Sequence, residues 1–570
     1  MKCLSSRKRP RFALLLLSSA LLGAGCDDNE ASSLPSGETA APDSGKYSDP
    51  GAGSRADKSQ PSDTPRATTT YGEVEGHVED GIRVFKGVRY GADTSTNRFE
   101  APAKPKHWDG VKSATAFGDS CPQTATGNPG GLFSSWQPTP APGMSEDCLF
   151  LNVWTKGLAD GKKRPVMVWL HGGGFTSGNG SSTAYDGVRL ARRGDVVVVT
   201  LNHRLNAFGY LALDHYGAGF EDSAVAGLLD LVLALEWVRD NADAFGGDSG
   251  NVTIFGESGG GAKVTTLLNT ESARGLFQRA IVQSGAVLRL PEAESAHAAA
   301  DKVVAKLGLT EETISQLKTL PEAEIREALM GTAAASAPTI DGRVLTRQTF
   351  TPDAPPSGRD VPLMLGTNRT ENSLFAGPTN EALFELSWEG LAEELAREFP
   401  APTYDVDAII AGYKKLQPGS SPSDIYFEAT TDANYLAGHR LQAERKVAQG
   451  GAPTWLYLFN WDTPVQGGKW RCPHSLDIGF VFDNVANSES MSGTGEEQQR
   501  VADIMADTWI AFAKTGDPNN AKLPNWPAYQ TDTRPVIVFD ETPELIEDAR
   551  GAQLALFGAE AGLKYGNRYQ

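Results

Sequence analysis

Six residues, Pro165-Val166-Met167-Val168-Trp169-Leu170, run without one charged or hydroxyl side chain, and this leaves the chain few ways to fold. A strand with one wet face alternates apolar and polar residues, so an unbroken run belongs to a strand covered on both sides. Val196-Val197-Val198-Val199, within Asp195–Thr200, is a second such run. Residues 223–245 have a different rhythm. Leu228, Leu231, Val232, Leu235 and Val238 recur at the three- and four-residue intervals of one helix face. Val252-Thr253-Ile254-Phe255 is then a short strand, and further strands are expected at 280–283, 362–365, 455–460 and 535–539. Buried strands alternating with helices imply an α/β architecture, a large and mostly parallel central sheet flanked by helices. In such sheets a ligand site lies beyond the carboxyl ends of the strands. A length of 570 residues suggests three or four domains. The same texture persists from about Tyr71 onward, however, so a single domain over 71–570 is expected.

The amino-terminal residues are of another kind. Lys2, Arg7, Lys8, Arg9 and Arg11 precede an apolar run from Phe12 to Leu22, too short to span a bilayer. It ends in Leu22-Gly23-Ala24-Gly25-Cys26, which resembles a bacterial lipobox. Residues 1–26 therefore read as a lipoprotein-like signal peptide. Cleavage leaves Cys26 either lipidated, which anchors an exported protein to a membrane, or as an ordinary thiol on a secreted one. Residues 27–70 carry almost no large apolar side chain and cannot offset their ordering entropy by burial, so a disordered tether is expected.

A net charge of −19 argues against a nucleic-acid partner, whose phosphates need a basic surface, and against electrostatic docking on anionic lipid. Membrane contact is expected only through Cys26. Of the five cysteines, Cys121, Cys148 and Cys472 lie beyond the signal segment. Export implies an oxidising compartment, and Cys121 and Cys148 close a loop rich in Pro and Gly, making them the expected disulfide, with Cys472 left as a buried thiol. No Cys-x-x-Cys or His-x-x-x-His spacing suggests a metal, and no cofactor is expected.

The chemistry-bearing pattern is Gly256-Glu257-Ser258-Gly259-Gly260. With 61 glycines in the chain the pattern alone is weak evidence. Its position between an apolar strand and a helix makes it a nucleophile elbow, a tight turn that exposes the Ser258 hydroxyl. His171-Gly172-Gly173-Gly174-Phe175 follows the strand ending at Leu170. Backbone N–H groups without side chains can approach an oxyanion closely, and one such donor is worth about 2.7–4 kcal/mol in acyl transfer. A phosphate loop is the other reading of such glycines, but the Lys-Ser/Thr ending is missing.

The chain resembles the type-B carboxylesterase family, which includes the cholinesterases, and looks like an exported bacterial member. The resemblance rests on Ser145-Glu146-Asp147-Cys148-Leu149-Phe150-Leu151-Asn152-Val153, Asn202-His203-Arg204-Leu205, Phe245-Gly246-Gly247-Asp248, Gln283-Ser284-Gly285, Gly516-Asp517-Pro518-Asn519 and Trp526-Pro527, all in family order. It implies an α/β-hydrolase fold and a serine ester hydrolase with a Ser, acid, His triad. Gly366-Thr367-Asn368-Arg369-Thr370-Glu371 aligns with the family's acid loop, and His474-Ser475-Leu476-Asp477 with its histidine segment. The triad would be Ser258, Glu371 and His474, with Gly173, Gly174 and Gly259 as oxyanion donors and Glu257 as electrostatic support. The family usually has Ala where this chain has Gly259. His439, the other histidine after Glu371, reads as a surface or packing residue.

The Cys121–Cys148 pair matches a family disulfide loop, and Trp136 within it reads as an aromatic lid residue. Substrate pockets are expected from residues 291–336 and 379–424. The expected partner is a small-molecule ester, and the expected state a monomer. A lipase, a thioesterase, or a carbamate or amide hydrolase would use the same residues. A surface-binding protein of the same family would have lost them.

Overall fold

The computed structural model describes residues 64–124, 127–139, 141–217, 219–329, 336–558 and 561–562. Cys26, the signal segment and most of the expected tether lie outside them. Its strands are β1 (Arg66–Thr69), β2 (Gly72–Glu75), β3 (His77–Glu79), β4 (Ile82–Arg89), β5 (Val111–Ser113), β6 (Phe150–Thr155) and β7 (Arg164–Leu170). They continue as β8 (Val197–Leu201), β9 (Gly247–Glu257), β10 (Arg279–Gln283), β11 (Leu363–Asn368), β12 (Thr454–Phe459), β13 (Pro535–Phe539) and β14 (Glu544–Glu547).

Eleven of these strands form one sheet in the order β14-β13-β12-β11-β10-β9-β7-β8-β6-β4-β3. From β8 to β13 every neighbouring pair is parallel. Antiparallel β6, β4 and β3 extend one flank and β14 the other. The sheet is thus large and mostly parallel, as the apolar runs predict. Their lack of alternation has a direct cause. Val166, Val168 and Leu170 of β7 enter one hydrophobic core, while Met167 and Trp169 enter a second on the opposite face. The helices Ala226–Asn241 and Gly259–Leu268 cover the first core, and Val188–Gly194 and Glu496–Thr515 cover the second. Each fully buried Val or Leu contributes about 1.5–3 kcal/mol relative to exposure, so both faces of the run favour the strand.

Two boundaries differ from the sequence reading. The helix expected over residues 223–245 starts at Ala226, because Ser223 is held in the preceding turn, its Oγ accepting from the Leu213 N–H at 2.8 Å. It stops at Asn241, and a 3-10 turn covers Ala242–Phe245. The tether does not extend to residue 70. Arg66–Thr69 pairs antiparallel with β2, and buried Ala67 and Thr69 alternate with exposed neighbours. Short polar strands of this kind carry no compositional mark. Among the described residues no helix is long and apolar enough to cross a membrane.

Candidate active site

Register brings the two glycine motifs together. β7 and β9 are parallel neighbours, with Leu170 opposite Gly256, so the turns after both strands leave the same edge of the sheet. Ser258 sits between β9 and the helix Gly259–Leu268 at φ 57°, ψ −123°. A non-glycine residue in that region costs roughly 1–3 kcal/mol, held by its surroundings. Here the Ser258 N–H donates to the Gln283 carbonyl of β10 at 2.8 Å, and the Ser258 carbonyl accepts from Ala262.

Close approach explains the glycine after Ser258. A Cβ on Gly259 would lie 2.2 Å from the Gly174 carbonyl oxygen and 2.4 Å from the Gly174 nitrogen. Gly173 has φ +83° and no room for a side chain, since a Cβ there would meet the Ser177 carbonyl at 2.4 Å. Gly173, Gly174 and Gly259 therefore stand together beside Ser258. The first N–H groups of a helix have no acceptor within it, which leaves that of Gly259 for a ligand.

Lys263 was not singled out in the sequence, yet it fastens this loop. Its Nζ donates to the carbonyl oxygens of His171 at 2.9 Å and Gly174 at 2.7 Å. Burial pushes the ammonium down to about 7, against the pull of Glu257. A neutral amine keeps two N–H donors, matching the two carbonyls. The available signal was a lone lysine among Gly, Ala, Val, Thr and Leu in a buried helix.

On the next strands, Glu371 follows β11 and His474 follows β12. Their loops are stitched together: Thr370 N–H donates to the Cys472 carbonyl at 3.1 Å, Cys472 N–H to Thr370 Oγ1 at 2.9 Å, and Asn368 Nδ2 to the Pro473 carbonyl at 2.7 Å. Glu371 Oε2 lies 2.5 Å from His474 Nδ1. Its Oε1 accepts from Ser284 Oγ at 2.6 Å, Thr367 Oγ1 at 2.5 Å and the Asn368 N–H at 2.7 Å. Burial alone would raise Glu371, but the His474 charge and these donors outweigh it and hold the carboxyl below its usual value. Burial opposes charge on His474, while Glu257 first and Glu371 second raise it.

Glu257 Oε1 lies 3.1 Å from His474 Nε2 and accepts from Ser475 Oγ at 3.0 Å. The Nε2 contact misses hydrogen-bond geometry, so among the described residues Nε2 has no hydrogen-bond partner. Burial drives Glu257 upward, with Asp477 and Glu371 adding to it and His474 opposing. The two carboxylates thus meet opposite ring nitrogens: Glu371 orients the imidazole through Nδ1, and Glu257 sits beside Nε2.

Ser258, His474 and residues 172–174 line one cavity of about 890 Å³, walled by Phe133, Trp136, Leu374, Phe375 and Ile478. Cys121 and Cys148 are joined in a disulfide, and the enclosed loop carries Phe133 and Trp136 into that wall. Residues 291–336 contribute Pro291, Ser295, Ala296, Ala299 and Ser336 to the lining, although they are helical over Ala293–Lys306 and Glu322–Leu329. Residues 379–424 contribute none; they form the helices Trp388–Glu398 and Val406–Leu416 and pack in a separate core. His439 is a packing residue and not a surface one: fully buried, its Nε2 accepts from the Gly285 N–H at 3.2 Å. Cys472 is a buried thiol, its Sγ donating to the Phe459 carbonyl at 3.2 Å.

A model of the carboxylesterase family matches residues 63–557. The para-nitrobenzyl esterase of Bacillus subtilis (strain 168) is 36% identical over 485 residues, covering 83% of this chain and 94% of its own. The phenmedipham hydrolase of Pseudarthrobacter oxydans is 32% identical over 506 residues, covering 85% and 97%. Among solved structures, the Geobacillus stearothermophilus carboxylesterase EST55 at pH 6.2 superposes with a TM-score of 0.75 at 36% identity, covering 86% of this chain and 99% of that one.

Proposed function

The chain belongs to the carboxylesterase family of α/β-hydrolases, enzymes that act on ester bonds, and from that premise we propose a serine mechanism with Ser258, His474 and Glu371 as its triad. His474 Nε2 takes the Ser258 proton as Oγ attacks the ester carbonyl, and returns it to the leaving alcohol. Glu371 fixes the imidazole tautomer and stabilises the imidazolium. The N–H groups of Gly173, Gly174 and Gly259 receive the developing oxyanion. The acyl group is then released from Ser258 by water in a second round of the same steps.

One observation carries this reading. Nδ1 of His474 is committed to a triply anchored carboxylate while Nε2 keeps no hydrogen bond, in the same cavity as a serine held at a strained elbow. The cavity volume and its aromatic wall favour esters with a bulky or aromatic group, since pockets of this size enclose drug-sized molecules. Export is part of the proposal, supported by the amino-terminal sequence and by a disulfide suited to an oxidising compartment, with Cys26 as the point of lipid attachment.

The test is hydrolysis of short and aromatic nitrophenyl esters by the parent and by Ser258→Ala, with mass analysis after treatment with a small phosphonate. Rapid turnover by the parent, near-total loss in the variant and one phosphonyl adduct on Ser258 are expected. A folded parent that neither turns over nor becomes labelled would overturn the mechanism.

A further inference from the structure

Outside the cavity lining, two segments separated by 83 positions bring two histidines and two aspartates to one spot. Asp214, His215 and Tyr216 form a 3-10 turn. His297 and Asp301 lie one helical turn apart on one face of the helix Ala293–Lys306. His297 Nε2 is 2.9 Å from Asp214 Oδ1, and His215 Nε2 is 2.9 Å from Asp301 Oδ1. The two imidazole rings stack obliquely with centroids 4.2 Å apart. One ligand atom each from Asp214, His215 and His297 lie within 4.8 Å of one another.

We infer that this cluster is a binding site for a divalent transition metal, zinc above all, with His215, His297 and Asp214 as ligands and Asp301 as an outer partner. The donor set selects the ion. Imidazole nitrogens with carboxylate oxygens suit zinc and its neighbours, whereas magnesium and calcium prefer oxygen alone. Zinc bonds of about 2.0–2.2 Å in a tetrahedral site put ligand atoms roughly 3.4 Å apart, so these partly exposed side chains must draw together around the ion, which would replace the His297–Asp214 contact. Tyr216 donates its hydroxyl to Asp301 Oδ1 at 2.7 Å, the kind of outer hydrogen bond that orients a ligating carboxylate. All four side chains are partly open to solvent, His297 at 25% and Asp301 at 54%, so the ion has a route in.

The location gives the site a consequence. Ser295, Ala296 and Ala299 of the same helix line the cavity that holds Ser258. An ion held by His297 together with Asp214 and His215 would pin that helix to the 3-10 turn and stiffen one wall of the substrate cavity. Sequence spacing does not announce the site, because the ligands come from two segments that only the tertiary fold joins.

The test uses the folded chain, stripped with chelator, then titrated calorimetrically with Zn2+ and melted with and without it. One Zn2+ per chain and a higher melting temperature are expected for the parent, with Mg2+ giving neither. His297→Ala and His215→Ala should each weaken Zn2+ binding by at least about 10- to 100-fold, the range that loss of an outer hydrogen-bond partner of a ligand already produces. These partly exposed side chains can be replaced with the fold kept, verified by circular dichroism. Cobalt in place of zinc should give visible absorption bands in the parent and not in the double variant. Zinc binding equal in the parent and the double variant, or none in the parent, would overturn the proposal, and neither result bears on the Ser258 mechanism.

Discussion

Lys263 Nζ lies 2.7 Å from the carbonyl oxygen of Gly174 and 2.9 Å from that of His171, so the helix opened by Ser258 also fastens the glycine loop opposite it. One short segment thereby sets both the hydroxyl and the N–H groups proposed to meet the substrate carbonyl. Lys263→Met keeps the length and removes both donors. Because misplacement by about 1 Å can cost on the order of 100-fold, kcat on a nitrophenyl ester should fall about 10- to 100-fold with KM changed less. The same variant has a signature in stability. Folded Lys263 titrates at about 7 against 10.5 unfolded, so between those pH values the unfolded chain binds a proton that the folded chain does not. Stability from this group therefore rises with pH across that window and is lost as pH falls toward 7. The difference in stability between variant and parent should slope accordingly; a flat difference would place the ammonium elsewhere.

Glu371→Gln should leave the fold intact and lower kcat by roughly 10^4-fold, because an amide cannot hold the imidazole in the tautomer that presents Nε2 as the acceptor. Steady-state kinetics on a folded variant decide it. A loss below tenfold would shift the orienting role to Glu257.

Glu257 is the first of the carboxylates that raise His474. His474 accepts a proton only when neutral, so activity climbs as pH rises through its pKa. Glu257→Gln should therefore move the acidic limb of the kcat/KM profile to lower pH, with kcat on the plateau reduced far less than in Glu371→Gln. An unmoved limb would mean that Glu257 already carries its proton, in line with its own upward drive by burial.

The disulfide closes a loop that brings Phe133 and Trp136 into the cavity wall. Replacing Cys121 and Cys148 together by Ala should cost about 3–4 kcal/mol in the chain-entropy picture, read as a lower melting temperature. KM should rise more for aromatic esters than for an acetate. Equal changes for both would detach the loop from substrate contact.

The mostly parallel sheet was legible because Val166–Leu170 of β7 and Val197–Val199 of β8 are buried on both faces, which an apolar run spells. Ser258 and the glycine loop were legible for a related reason: tight turns and close backbone approach accept few residue types, and Gly259 against Gly174 shows why. Glu371 and His474 became legible only through resemblance, since a lone Glu or His carries no local signature. The failures share one cause. Polar β1 has no compositional mark, and the stretch 379–424 gives no sign of which way it packs.

By itself, then, the sequence determined the local elements, the elbow at Ser258, and the cysteines available to pair, because these depend on neighbours in the chain or on a short list of permitted residues. Tertiary structure alone decided which polar groups meet. Lys263 on the Gly174 carbonyl, Glu257 beside Nε2 while Glu371 takes Nδ1, and His215 beside His297 all join residues through strand register and helix packing. Hydrogen bonds and ion pairs act over a few ångströms, so they are fixed by distances that no spacing along the chain encodes.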